Sequence, residues 1–161
     1  MDVGEFNALP DDEAVSLVSG CLGVPRWVDD VVTGRPYAGG AALRKQAHDA
    51  ALRLSDDELD SALSRHPRIG ERPQGDDDES RHSRAEQSGV DDSDADRLRT
   101  GNAAYEARFG HVFLFRAAGR DSVEILAELE RRLGNDEAAE RAETVTALRD
   151  IALLRLEGLV R

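Results

Sequence analysis

Apolar positions recur at three- and four-residue spacing through most of the chain, while the strict alternation that makes a half-buried strand is scarce. The stretch DDEAVSLVS follows Pro10 and ends at Gly20, and RWVDDVVT opens on Pro25 and ends at Gly34. Proline is tolerated in a first helical turn and glycine closes a last one, so both stretches are predicted helices. A third, AALRKQAHDAALRL, follows Gly39 and Gly40. Ser55 and Glu58 form an S-x-x-E capping box before LDSALSR, a helix that must end near His66 because Pro67 disfavours helical geometry in the residue before it. The run RIGERPQGDDDE has no periodic apolar face and is predicted to be a loop. Helices are then expected at SRHSRAEQS, at DADRLRTGNAAYEARF, at SVEILAELERRL capped by Asp121, and from Asn135 as cap through TVTALRDIALLRLEGLV. Between them HVFLFRA, flanked by Gly110 and Gly119, is read as extended. The class is all-α, a bundle of about eight helices.

Length and composition narrow the class of protein. A chain of 161 residues lies under the roughly 250 to 300 at which cores tend to divide, so 1–161 is expected to form a single domain. No window approaches the roughly 18 to 20 apolar residues of a membrane span, and the N-terminal residues do not resemble a targeting peptide. A single cysteine, Cys21, excludes an intramolecular disulfide and fits a cytoplasmic setting. The net charge of −12 argues against a grip on nucleic-acid phosphates or anionic lipid.

Three places can carry chemistry. His66, followed by the stiffening Pro67, sits at an element boundary where an imidazole can exchange protons at neutral pH, or simply interact with a helix C-terminus. His82, Ser83, Glu86 and Gln87 share one or two turns of a short helix; they suit a substrate rich in N–H and C=O groups, or form a solvated polar face. His82 and Glu86, four apart, could also hold a metal, although no H-E-x-x-H or cysteine pair accompanies them. Arg155 interrupts the apolar face of the last helix; it either aims into a cleft or, as the spacing alone favours, snorkels to the surface.

In order along the chain, LSDDELDSALSRHPRIGE, SRAEQSG, GNAAYEARFGHVFLFRAAGR and IALLRLEGLV resemble the family of 2-oxo-4-hydroxy-4-carboxy-5-ureidoimidazoline (OHCU) decarboxylases of uric acid degradation. Trp27 and the run Arg35-Pro36-Tyr37 fit the same pattern. The resemblance implies an all-helical, cofactor-free enzyme, usually a homodimer, whose small-molecule substrate is a ureidoimidazoline and whose product is (S)-allantoin. It implies that His66 and Glu86 are catalytic and that Pro67, Ser83, Gln87 and Arg155 contact substrate. The stretch His111, Val112, Phe113 and Leu114 would supply backbone contacts. Where family members often carry an aromatic residue and a proline after F-G, this chain has His111 and Val112.

Two readings from other classes compete. An acidic interaction module would use Asp76 to Glu79 and Asp91 to Asp96 to bind a basic partner, and a metal-assisted hydrolase would use His82 and Glu86. The first explains the charge but not the order of the motifs.

Overall fold

In a computed structural model the structure describes residues 1–71, 78–86 and 94–161, with the backbone alone at positions 79, 80, 83 and 84. Nine α-helices and no strand occur among the described residues. They are α1 Val3–Ala8, α2 Asp11–Ser19, α3 Pro25–Thr33, α4 Gly40–Ala51, α5 Asp56–Arg65, α6 Asp78–Glu86, α7 Ala95–Phe109, α8 Ser122–Leu133 and α9 Glu137–Leu159. The all-α expectation holds. The additional helix is α1, whose Asp2 and Glu5 form a reciprocal capping box around a single buried apolar residue, Phe6. The Ser55/Glu58 box on α5 forms as the sequence suggests, and Asp121 caps α8 as expected, in a reciprocal box with Glu124 that the structure adds. The cap of α9 is Asp136, whose side chain accepts from the Ala139 amide, and not Asn135. Asn135 instead turns its amide nitrogen to Glu140 at 3.0 Å.

Two apolar clusters fill the interior. The larger joins α1 to α5 to the C-terminal half of α9, around Phe6, Trp27, Leu43, Leu63, Leu148 and Leu156; the smaller joins α7 and α8 around Leu98, Tyr105, Phe113, Ile125 and Leu129. The residues 111–117 run extended between them, and their side chains alternate. Val112 and Leu114 pack into the larger cluster, Phe113, Phe115 and Ala117 into the smaller. A period of two sends successive side chains to opposite sides of an extended backbone, so this stretch serves both clusters at once. The chain enters it through Gly110, whose φ of 77° is in the left-handed region, with its amide returning to the Glu106 carbonyl at 2.8 Å.

The buried aromatic and Arg-Pro-Tyr features settle the N-terminal helices. The Trp27 indole N–H donates to Ala47 O at 2.9 Å, linking α3 to α4. Arg35, before a cis proline, donates to the carbonyls of Phe6 and Leu9 at 3.0 and 2.8 Å, and the Tyr37 hydroxyl donates to Val31 O at 2.5 Å. Trp27 and Tyr37 thus belong to the larger apolar cluster, and Arg35 ties the end of α3 to α1.

Gly101 of α7 marks where α7 and α8 approach closely, since a Cβ there would collide with Leu129 Cδ2. Alanine normally gains about 1 kcal/mol over glycine inside a helix. Because Leu129 is buried in the smaller cluster and its side chain would have to leave its place there, Gly101→Ala is expected instead to destabilise by about 1 to 3 kcal/mol. Chemical denaturation of the two proteins checks the sign.

Candidate active site

α5 delivers His66 to the interior. Its last turn ends at His66, which has left helical geometry (φ −79°, ψ 132°) ahead of Pro67. The imidazole is 7% exposed, and Nδ1 lies 2.9 Å from Ala62 O. A carbonyl can only accept, so Nδ1 carries the hydrogen and Nε2 of the neutral ring presents a lone pair. Nε2 is buried with no protein partner among the described residues. Burial holds the His66 pKa below its ordinary 6.5; the bond to Ala62 opposes this, as does the Glu86 carboxylate, while the Arg155 charge adds to it. The surface reading of His66, as a charged histidine at a helix end, is therefore not what the fold makes of it.

Glu86 and Arg155 come from α6 and α9 and meet as a forked pair. Arg155 Nε donates to one Glu86 oxygen at 2.6 Å and Nη2 to the other at 2.9 Å, and Nη1 reaches Cys21 O at 3.2 Å. Arg155 is 3% exposed. It does not snorkel as its spacing favoured: Glu86 lies 69 residues away in sequence, and a carboxylate that distant leaves no trace in the local pattern. Both charges act on His66, so three of the expected site residues, from three separate helical segments, converge.

The remaining candidates divide. Pro67 is half-buried beside His66. Ser83 lies on α6, but its side chain is outside the described residues, as is all of Gln87. Val112 and Leu114 enter the same apolar cluster as Ala62 and Leu63 before His66, and as Ala152 and Leu156 around Arg155. The Leu114 carbonyl is taken by Arg132 Nη1 at 3.2 Å, and His111 Nδ1 lies 3.0 Å from Val112 O. The His111 ring packs against Tyr105 and Phe109.

His82 lies on the half-exposed side of α6, in a hollow of about 510 Å³ that it lines with Glu13, Ser16, Leu17, Asp78, Arg81 and Leu159. Burial lowers its pKa, the Arg155 charge adds to the effect and Glu86 opposes it. Among the described residues no three His, Cys, Asp or Glu side chains are grouped to hold a metal. The Cys21 thiol is buried, and burial pushes its pKa up to about 12. Of the acidic stretches, Asp76, Asp77, Asp91 and Asp92 lie outside the described residues. Asp78, Asp94 and Asp96 pair with arginines three positions on, the ordinary arrangement of a solvated helix face.

In this helical protein a buried histidine has one nitrogen tied to backbone and the other without a protein partner among the described residues, near a forked Glu–Arg pair, an arrangement able to exchange a proton with a small polar molecule. Comparison with known proteins gives the family. The OHCU decarboxylase model matches residues 7–157, and the chain belongs to that family. It is 29% identical over 170 residues to the 2-oxo-4-hydroxy-4-carboxy-5-ureidoimidazoline decarboxylase of Amia calva, covering all of this chain and 95% of that one. It is 24% identical to the uric acid degradation bifunctional protein of Bacillus sp. (strain TB-90), of which it spans 32%. The fold matches the crystal structure of OHCU decarboxylase in the presence of (S)-allantoin, with a TM-score of 0.75 and 22% identity over 94% of this chain and 98% of that one. It also matches that of (S)-allantoin synthase, with a TM-score of 0.77 and 17% identity over 99% of this chain and 54% of the other.

The lowered His66 pKa has a consequence for stability. In the unfolded chain the ring takes a proton near 6.5, and in the fold only below that. The contribution of the neutral ring is therefore complete above about 6.5 and is lost as the pH falls from there through the folded value, at up to about 1.4 kcal/mol per pH unit. The thermal midpoint of the parent should fall more steeply on acidification below that point than that of His66→Gln. Parallel curves would mean that His66 titrates as an exposed histidine.

Proposed function

We propose that the chain decarboxylates OHCU to (S)-allantoin without a cofactor, and that residues 1–161 act as one domain in doing so. The observation that carries this reading is the uncommitted Nε2 of a neutral, buried His66 next to the Glu86–Arg155 pair. In OHCU the carbon bearing the carboxylate also bears a hydroxyl and adjoins a C=N carbon. When CO2 leaves, the electron pair of the broken bond moves into the ring C–C bond and the C=N pair onto nitrogen, which takes a proton from solvent. The hydroxyl proton then has to move to the neighbouring carbon as the C=O of allantoin forms. The substrate is its own electron sink, and the protein has to position it and carry one proton to one face.

His66 Nε2 accepts the hydroxyl proton and returns it to carbon. Glu86 orients the hydroxyl, and Arg155 works through Glu86, whose two oxygens it fixes, in addition to the substrate oxygen that the family resemblance assigns to it. Pro67 stiffens the wall beside the imidazole. Ser83, Gln87 and the backbone of His111 to Leu114 hold the ureido and ring polar atoms, roles that rest on the resemblance. The substrate is a small molecule, as the family indicates; the −12 charge argues against nucleic acid as a partner, and no helix among the described residues is long and apolar enough to cross a membrane. A cytoplasmic setting, suggested by the lone buried thiol, and a homodimer, suggested by the family, complete the reading.

Freshly generated OHCU decays spontaneously to racemic allantoin, so the product's optical activity reports the enzyme alone. His66→Asn should slow formation of dextrorotatory allantoin by about 10² or more while the fold persists, and His82→Asn should stay close to the parent. A His66→Asn protein that yields one enantiomer at the parent rate would remove His66 as the proton carrier.

Dialysis against a chelator discriminates the hydrolase reading. Activity is expected to survive; loss that a divalent metal restores would move the chemistry to His82 and Glu86.

A further inference from the structure

The extended residues 111–117 are held without a strand partner. Their side chains are divided between two apolar clusters, and from His111 to Arg116 no backbone amide donates to a protein acceptor among the described residues. Two of the stretch's carbonyls have local partners, Val112 O at 3.0 Å from His111 Nδ1 and Ala117 O accepting from the Arg120 amide, and one is held from a distant helix, that of Leu114, which accepts from Arg132 Nη1 at 3.2 Å. Arg132 belongs to α8 and is 2% exposed. Its Nε lies 2.7 and 2.8 Å from the two oxygens of Glu140 on α9, and its Nη2 donates to Thr144 Oγ1 at 3.2 Å. Glu140 is fully buried and also accepts from the Tyr105 hydroxyl of α7. Burial alone would raise the Glu140 pKa, but the Arg132 guanidinium and the Tyr105 and Asn135 donors hold it below the usual carboxylate range. Three helices and the extended stretch therefore meet at one charged guanidinium.

Sealing an ion pair from water is costly, and apolar side chains of equal volume often stabilise a core as well or better. They could not, however, grip a carboxylate by one edge and a backbone carbonyl by another, which the planar guanidinium does with fixed angles. We propose that Arg132 is a positioning residue for the decarboxylation: by holding the Leu114 carbonyl it sets where the uncommitted amides of His111 to Leu114 meet the carbonyl oxygens of the ureidoimidazoline. This rests on the function proposed above. Arg132 touches no reacting atom and acts through the backbone it holds.

Two variants separate positioning from simple stability. Arg132→Lys keeps a cation for Glu140 but loses the fork that reaches Leu114; Thr144→Val removes another Arg132 contact and leaves the Leu114 bond. Both should lower the thermal midpoint. At a temperature well below it, Arg132→Lys should raise KM for OHCU about tenfold or more with a smaller change in kcat, and Thr144→Val should keep the parent KM. A parent-like KM in Arg132→Lys, or an equal rise in both variants, overturns the inference while the parent's activity leaves the functional reading standing. If Arg132→Lys fails to fold, a crystal structure of the parent with (S)-allantoin decides: product within hydrogen-bonding distance of the 111–114 backbone supports the inference, and product touching none of it overturns it. A parent that neither turns over OHCU nor binds allantoin removes the functional reading and the inference with it.

Discussion

The pair between Arg155 and Glu86 is the contact on which the site depends. α6 shows no buried side chain among its described residues, so apolar burial does not seat it. Among the described contacts, a guanidinium rising from the interior of α9 is forked onto the last residue of α6 and bonded also to the Cys21 carbonyl after α2, while Asp78 at the other end of α6 lies close to Gly20. An arginine so buried would be strongly destabilising without its carboxylate. The energy that makes the pair obligatory is the same energy that brings a polar helix against the interior beside His66.

His66 shows how one environment sets a chemical role. Burial disfavours the imidazolium, and the Ala62 carbonyl selects the Nδ1–H tautomer, leaving Nε2 as a base. Arg155 pushes the pKa down and Glu86 pulls it up, so the two charges of the forked pair oppose one another at the ring. A ring in that state can accept a proton, as the proposed transfer of the hydroxyl proton requires.

Much of the fold was legible because its signals are local. The Ser55/Glu58 box, the Asp121 cap, Pro25 at a helix start and Pro67 after a helix end each act within one turn, and the helices fall where those residues put them. α1 escaped because six residues with one buried side chain carry no periodicity. Asn135 was mistaken for a cap because Asp136, beside it, competes for the same task and wins. At the site, His66 and Pro67 were visible as a motif, but the burial that keeps the ring neutral comes from tertiary packing. The Arg155 partner, and the whole Arg132–Glu140–Tyr105 network, join residues from different helices. Nothing in the run of sequence around an arginine on a helix distinguishes one that reaches water from one that meets a carboxylate inside.

The protonation of the His66 ring at neutral pH bears most directly on this picture. Nitrogen-15 NMR of the imidazoles, assigned by comparison with His66→Gln, should show Nδ1 carrying hydrogen and Nε2 bare, with that pattern persisting below 6.5, the ordinary value for the group. An imidazolium at pH 7, or a ring with its hydrogen on Nε2, would contradict it.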